Sequence, residues 1–98
     1  LHGHNWKVGV TLLGDKLDNA GMLLDFHDLD AMIKEAVDKF DHRNLNEVEP
    51  FIGKSPSSES MAKVIYYDIA KRLEGNPDVN IKYCEVWENE RSRARYYE

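Results

Sequence analysis

Residues 2–12 read His-Gly-His-Asn-Trp-Lys-Val-Gly-Val-Thr-Leu. His2, His4, Trp6, Val8, Val10 and Leu12 fall on one parity, and Gly3, Asn5, Lys7, Gly9 and Thr11 on the other. Successive side chains of a strand point to opposite faces, so the alternation predicts a β-strand with one apolar face to be covered. Two helical stripes downstream can cover it. Leu29, Met32, Ile33, Ala36, Val37 and Phe40 recur at spacings of three and four, with Asp25 placed as N-cap and Asp28 adding negative charge to the first turn. Met61, Ala62, Ile65, Tyr66, Ile69 and Leu73 form the second stripe, capped by Ser57 or Ser58 and ended by Gly75-Asn76-Pro77. Val79 to Glu88 reads as another strand, with Val79, Ile81, Tyr83 and Trp87 on one side and Cys84, Val86 and Glu88 on the other. A hairpin through Asn89 to Arg91 returns a last strand ending near Tyr97. Gly14 to Gly21 has the composition of a turn, and Asp41 to Gly53, with Pro50, that of a surface connection.

The order strand, helix, helix, strand, strand gives an α+β fold class, with a further strand expected ahead of Leu1. The 98 residues, 42% of them hydrophobic, fit a single domain over 1–98. A domain of this size leaves sheet edges exposed, so association with copies of itself is expected. A net charge of -5 argues against a nucleic-acid partner, whose binding needs a basic field. The one cysteine, Cys84, provides no disulfide framework and points to a reducing, cytoplasmic setting. No apolar run is long enough to span a bilayer, so no membrane partner is expected.

His2 and His4, two apart on a strand, project from the same face and can converge on one ion, and neutral imidazole nitrogens suit zinc. A third ligand would have to come from elsewhere. Two ordinary surface or core histidines give the same spacing.

Five blocks then occur in order: Leu1-His2-Gly3-His4-Asn5-Trp6, Gly21-Met22-Leu23-Leu24-Asp25-Phe26, Phe40-Asp41-His42-Arg43-Asn44-Leu45-Asn46-Glu47, Pro56-Ser57-Ser58-Glu59 and Val86-Trp87-Glu88. Together they resemble the 6-pyruvoyl-tetrahydropterin synthase and 6-carboxy-tetrahydropterin synthase family over essentially the whole chain. The resemblance implies the tunnelling fold (T-fold), a four-stranded antiparallel sheet packed with two helices. It places a first strand, a third zinc histidine and a catalytic cysteine or glutamate upstream of Leu1. It also implies homo-oligomers, trimers or dimers of trimers, with active sites between subunits.

Carried over by position, His2 and His4 match two of the Zn2+ ligands, and Asp41 and His42 match the catalytic pair, a histidine made more basic by a carboxylate so that it relays protons. A polar loop in which Asp41 ends the first helix accounts for that pair equally. Glu88 matches the pterin anchor, one carboxylate accepting a ring N–H and an amino hydrogen side by side; the alternative is an exposed strand-end glutamate. Glu59, Ser57 and Ser58 match a pocket-lining block, although the serines can be helix caps alone. Asn89 departs from the threonine of many relatives. Cys84 reads as a small buried apolar residue and His27 as a surface residue. Arg91, Arg93 and Arg95 either attract a triphosphate or form a solvated strand face.

Leu1 and the Asp25-Phe26 pair look more like the bacterial queuosine-pathway (7-deazapurine) enzymes. The resemblance therefore implies a zinc-dependent lyase, 6-carboxy-5,6,7,8-tetrahydropterin synthase, that takes 7,8-dihydroneopterin triphosphate, eliminates triphosphate and releases a two-carbon aldehyde. The alternatives are 6-pyruvoyl-tetrahydropterin formation, a folate-precursor variant, and a catalytically silent pterin-binding relative.

Overall fold

A computed structural model describes residues 6–38 and 57–98. The elements are β1 (Lys7–Leu13), α1 (Phe26–Asp38), α2 (Ser58–Arg72), β2 (Asn80–Trp87) and β3 (Arg93–Tyr96), with a 3-10 turn, Leu73–Gly75, after α2. The strands form one antiparallel sheet in the order β1-β2-β3. This is the α+β class expected, with three strands among the described residues.

α1 starts where the sequence put it. The Asp25 carboxylate accepts the His27 N–H at 2.8 Å, and the Asp25 carbonyl accepts the Leu29 N–H at 3.0 Å. Leu29 and Ala36 are buried, and Met32, Ile33 and Val37 pack beside them. His27 is exposed. The turn before α1 is built by Asp18, whose carboxylate accepts the Ala20 and Met22 N–H groups at 2.9 and 3.0 Å. Gly21 supplies the left-handed residue there, with φ +79°.

The core lies between the helices and one face of the sheet. From α2 it takes Met61, Ala62, Ile65, Tyr66 and Ile69, and from β2 Cys84 and Val86, while Val8, Val10 and Leu12 of β1 pack against it. Arg72 ties the two helices together from outside, pairing with Glu35 of α1 and with Asp68 at 2.6 Å.

Strict alternation put Ile81 and Cys84 on opposite sides of β2, and the structure corrects this. Leu12 pairs with Ile81 and Thr11 with Tyr83, so Lys82 is an extra residue in the ladder. This β-bulge resets the parity. Val79 and Ile81 before it and Cys84 and Val86 after it all join the same core.

Among the described residues no helix is long and apolar enough to cross a membrane.

Candidate functional site

Glu88 follows the last residue of β2 and is exposed. Its N–H donates to the Ser92 carbonyl at 2.9 Å, closing the hairpin to β3. The Asn89 side-chain oxygen accepts the N–H groups of Arg91 and Ser92 at 2.8 and 3.0 Å. That Asx turn explains the amide at position 89: its oxygen holds the loop that carries Glu88.

At the start of α2, Ser57 is the N-cap, accepting the Ser60 N–H at 3.1 Å and bonding the Ser60 hydroxyl at 2.9 Å. Ser58 donates its hydroxyl to the Glu59 carboxylate at 3.1 Å. Glu59 is exposed in the first turn, where a negative charge complements the helix dipole. The capping role of Ser57 is thus realised in full.

These two clusters lie toward the same end of the sheet. Leu73, at the end of α2, lines one small cavity with Val79 and Ile81, at the start of β2. Earlier in the helix, Lys63 sits 6.0 Å from the ring of Tyr96, which pairs with Cys84 further along β2. α2 and β2 therefore run in opposite directions, and the helix start lies toward the strand end. Lys7 pairs with Trp87, which brings the start of β1 to that end too. Among the described residues no hydrogen bond joins Glu88 to the Ser57–Glu59 turn. The structure puts them at one end without direct contact.

His2, His4, Asp41 and His42 lie outside the described residues. As a donor set, two imidazoles two residues apart fit zinc by their chemistry. Among the described residues no group of three histidine, cysteine, aspartate or glutamate side chains gathers to hold a metal. Cys84 takes no part in such chemistry. It is 0% exposed, and burial, with the nearby Glu85 charge, pushes its thiol up to about 12.

The sheet face away from the helices carries a grouping that strand parity alone did not single out. Lys7, Trp87 and Arg93 form one cross-strand row, and Gly9, Glu85 and Arg95 the next. Lys7 Nζ and the Arg93 guanidinium lie 5.4 and 5.0 Å from the Trp87 ring, and the Arg95 guanidinium lies 4.0 Å from that of Tyr83. Glu85 forms ion pairs with both arginines, at 3.0 Å from Arg93 and 3.1 Å from Arg95, and accepts hydrogen bonds from Arg95. The available signal was the i, i+2 spacing of the two arginines opposite the two aromatics, which becomes a surface only once the register is known.

The profile of the 6-pyruvoyl tetrahydropterin synthase family matches residues 1–98. The chain belongs to this family. A protein of Archaeoglobus fulgidus, provisionally named 6-carboxy-5,6,7,8-tetrahydropterin synthase, is 38% identical over 90 residues, which are 92% of this chain and 70% of the relative. The 6-carboxy-5,6,7,8-tetrahydropterin synthase of Bacillus subtilis is 33% identical over 78 residues, 76% of this chain and 51% of the relative. The human 6-pyruvoyl tetrahydrobiopterin synthase is 32% identical over 90 residues, 90% of this chain and 62% of the relative. This family member thus matches between 51% and 70% of the length of these relatives, which are named as pterin synthases of both kinds.

Proposed function

We propose that this family member is a zinc-dependent 6-carboxy-5,6,7,8-tetrahydropterin synthase acting on 7,8-dihydroneopterin triphosphate, a lyase of the queuosine pathway. The observation that carries this reading is the 38% identity over 90 residues to the Archaeoglobus protein of that name. The Asp25-Phe26 pair leans the same way. The 6-pyruvoyl product is the second reading, favoured by the 32% identity to the human enzyme.

In this reading His2 and His4 hold the metal with a third histidine from outside these 98 residues. When bound, zinc supplies Lewis acidity toward the side-chain hydroxyls of the substrate. The remaining tasks fall to the chain. The Glu88 carboxylate accepts two adjacent N–H hydrogens of the pterin and fixes the ring, a bidentate arrangement suited to its exposed place on a hairpin held by Asn89. His42, oriented by Asp41, takes and returns the proton that moves between carbon and oxygen of the side chain. Glu59, Ser57 and Ser58 border the pocket, with Ser57 holding the helix start in place. The convergence of the β1 start, the β2 end and the α2 start at one end of the sheet supports a pocket there.

The wider expectations belong to the same proposal: one T-fold domain with a fourth strand from outside this sequence, a homotrimer or dimer of trimers, and a cytoplasmic setting. Mass spectrometry after incubating zinc-loaded, full-length protein with dihydroneopterin triphosphate tests it. The expected product is 6-carboxy-tetrahydropterin; a 6-pyruvoyl product establishes the second reading, and unchanged substrate despite ring binding establishes a silent binder. Glu88→Ala is expected to weaken pterin binding at least tenfold with zinc content unchanged. Equal affinity refutes the anchor.

A further inference from the structure

The geometry points to a second ligand site, an oligophosphate-binding tray on the sheet face away from the helices. Its cations are Lys7, Arg93 and Arg95, and its floor is made by Gly9 and Trp87. Among the described residues these three cations meet the one carboxylate of Glu85, so the grouping is locally positive on a chain whose net charge is -5. Such a local field concentrates anions.

Three features make this more than a solvated strand face. The two guanidinium groups are held in advance, Arg95 over Tyr83 at 4.0 Å and Arg93 over Trp87 at 5.0 Å. Glu85, with its side chain only 14% exposed, anchors both, while the arginine side chains remain 47% and 40% exposed. A guanidinium bound to one carboxylate oxygen keeps further N–H donors for an anion, and its ordering entropy is already lost. The second feature is space. Nothing lies within 4 Å of a Cβ added at Gly9, which occupies the row of Glu85 and Arg95 beside Lys7. The third is span. The two guanidinium groups meet at one Glu85 oxygen, while Lys7, across the middle strand from Arg93, approaches the Trp87 ring from its own strand, with backbones about 10 Å apart. A chain of phosphates can extend from the arginine pair to the lysine, a longer reach than a single phosphate offers. Arginine forks and a lysine point charge are suited to its oxygens.

The test is calorimetric titration of inorganic tripolyphosphate into the full chain at physiological ionic strength, with orthophosphate as the comparison. Saturable tripolyphosphate binding is expected, at least tenfold tighter than orthophosphate and weaker as salt is raised. Two substitutions probe the tray while keeping the Glu85 pairs: Lys7→Gln, which removes an exposed cation, and Gly9→Glu, which fills the open space with a negative charge. Each is expected to weaken tripolyphosphate at least fivefold with the melting temperature little changed. Absence of saturable binding, or binding unchanged in both variants, overturns the proposal. Equal affinity for orthophosphate and tripolyphosphate overturns the oligophosphate assignment.

Discussion

Ile81 and Cys84 face the same core from one strand although they are three positions apart, because Lys82 is an extra residue in the ladder between β1 and β2. Regular alternation would send one of them to the outer face. Deleting Lys82 should therefore leave Ile81 and Cys84 two positions apart on a regular strand with both still on the core, at a cost below about 1.5 kcal/mol. Deleting Thr11, which faces Tyr83 in the regular part of the same ladder, should instead turn Leu12 off the face shared by Val8 and Val10, at a cost of about 1.5–3 kcal/mol. Urea denaturation of the two variants checks the contrast.

Cys84 predicts an alkaline limit to stability. Its thiol is raised from an ordinary 9.0 to about 12 by burial first and by the Glu85 charge second. Between these values the unfolded chain has lost the proton while the folded chain retains it, so the unfolded state binds fewer protons and stability falls as pH rises. The thiol's contribution is intact below pH 9 and declines by up to about 1.4 kcal/mol per pH unit above it. The stability difference between the protein and Cys84→Ala should accordingly shrink between pH 9 and 11. An unchanged difference would mean that the thiol ionises equally in both states.

Ser57→Ala removes the side-chain acceptor for the Ser60 N–H at the start of α2. The expected loss is about 1 kcal/mol, or about 4–8 °C in Tm for a domain of this size, and Ser57→Asp should recover most of it. Calorimetry on the three proteins measures this. Failure of aspartate to restore stability would show that the hydroxyl contributes through something other than the cap.

Gly14 sits where the chain leaves β1 and passes Leu23 and Asp78. A Cβ built there would run into Leu23 Cδ1 and lie 2.5 Å from the Asp78 carbonyl oxygen. The leucine can rotate but the carbonyl belongs to the backbone, so Gly14→Ala should destabilise by about 1–3 kcal/mol. Gly75→Ala, with nothing within 4 Å of its Cβ, is the matched control and should be close to neutral. A Gly14→Ala protein as stable as the control would mean that the loop between β1 and α1 shifts freely.

Local physics explains what was legible in the residues. The caps at Asp25 and Ser57, the stripes from Leu29 to Val37 and from Met61 to Leu73, and the turn after Asn89 each depend on neighbours within four positions, and all appear as read. The inert character of Cys84 followed from its place among apolar strand residues. The resemblance carried by the five blocks matches the family membership, again because a motif is a local string.

What the sequence determined by itself is the element order, the caps and the apolar faces, because hydrogen-bonding range and side-chain periodicity are properties of adjacent residues. Only the tertiary structure decided the rest. Strand register placed the bulge at Lys82, joined Lys7, Trp87 and Arg93 into one row, and brought the start of α2 to the Glu88 end of the sheet. Register depends on which residues meet across strands and on how the helices cover one face, and no single segment encodes that choice.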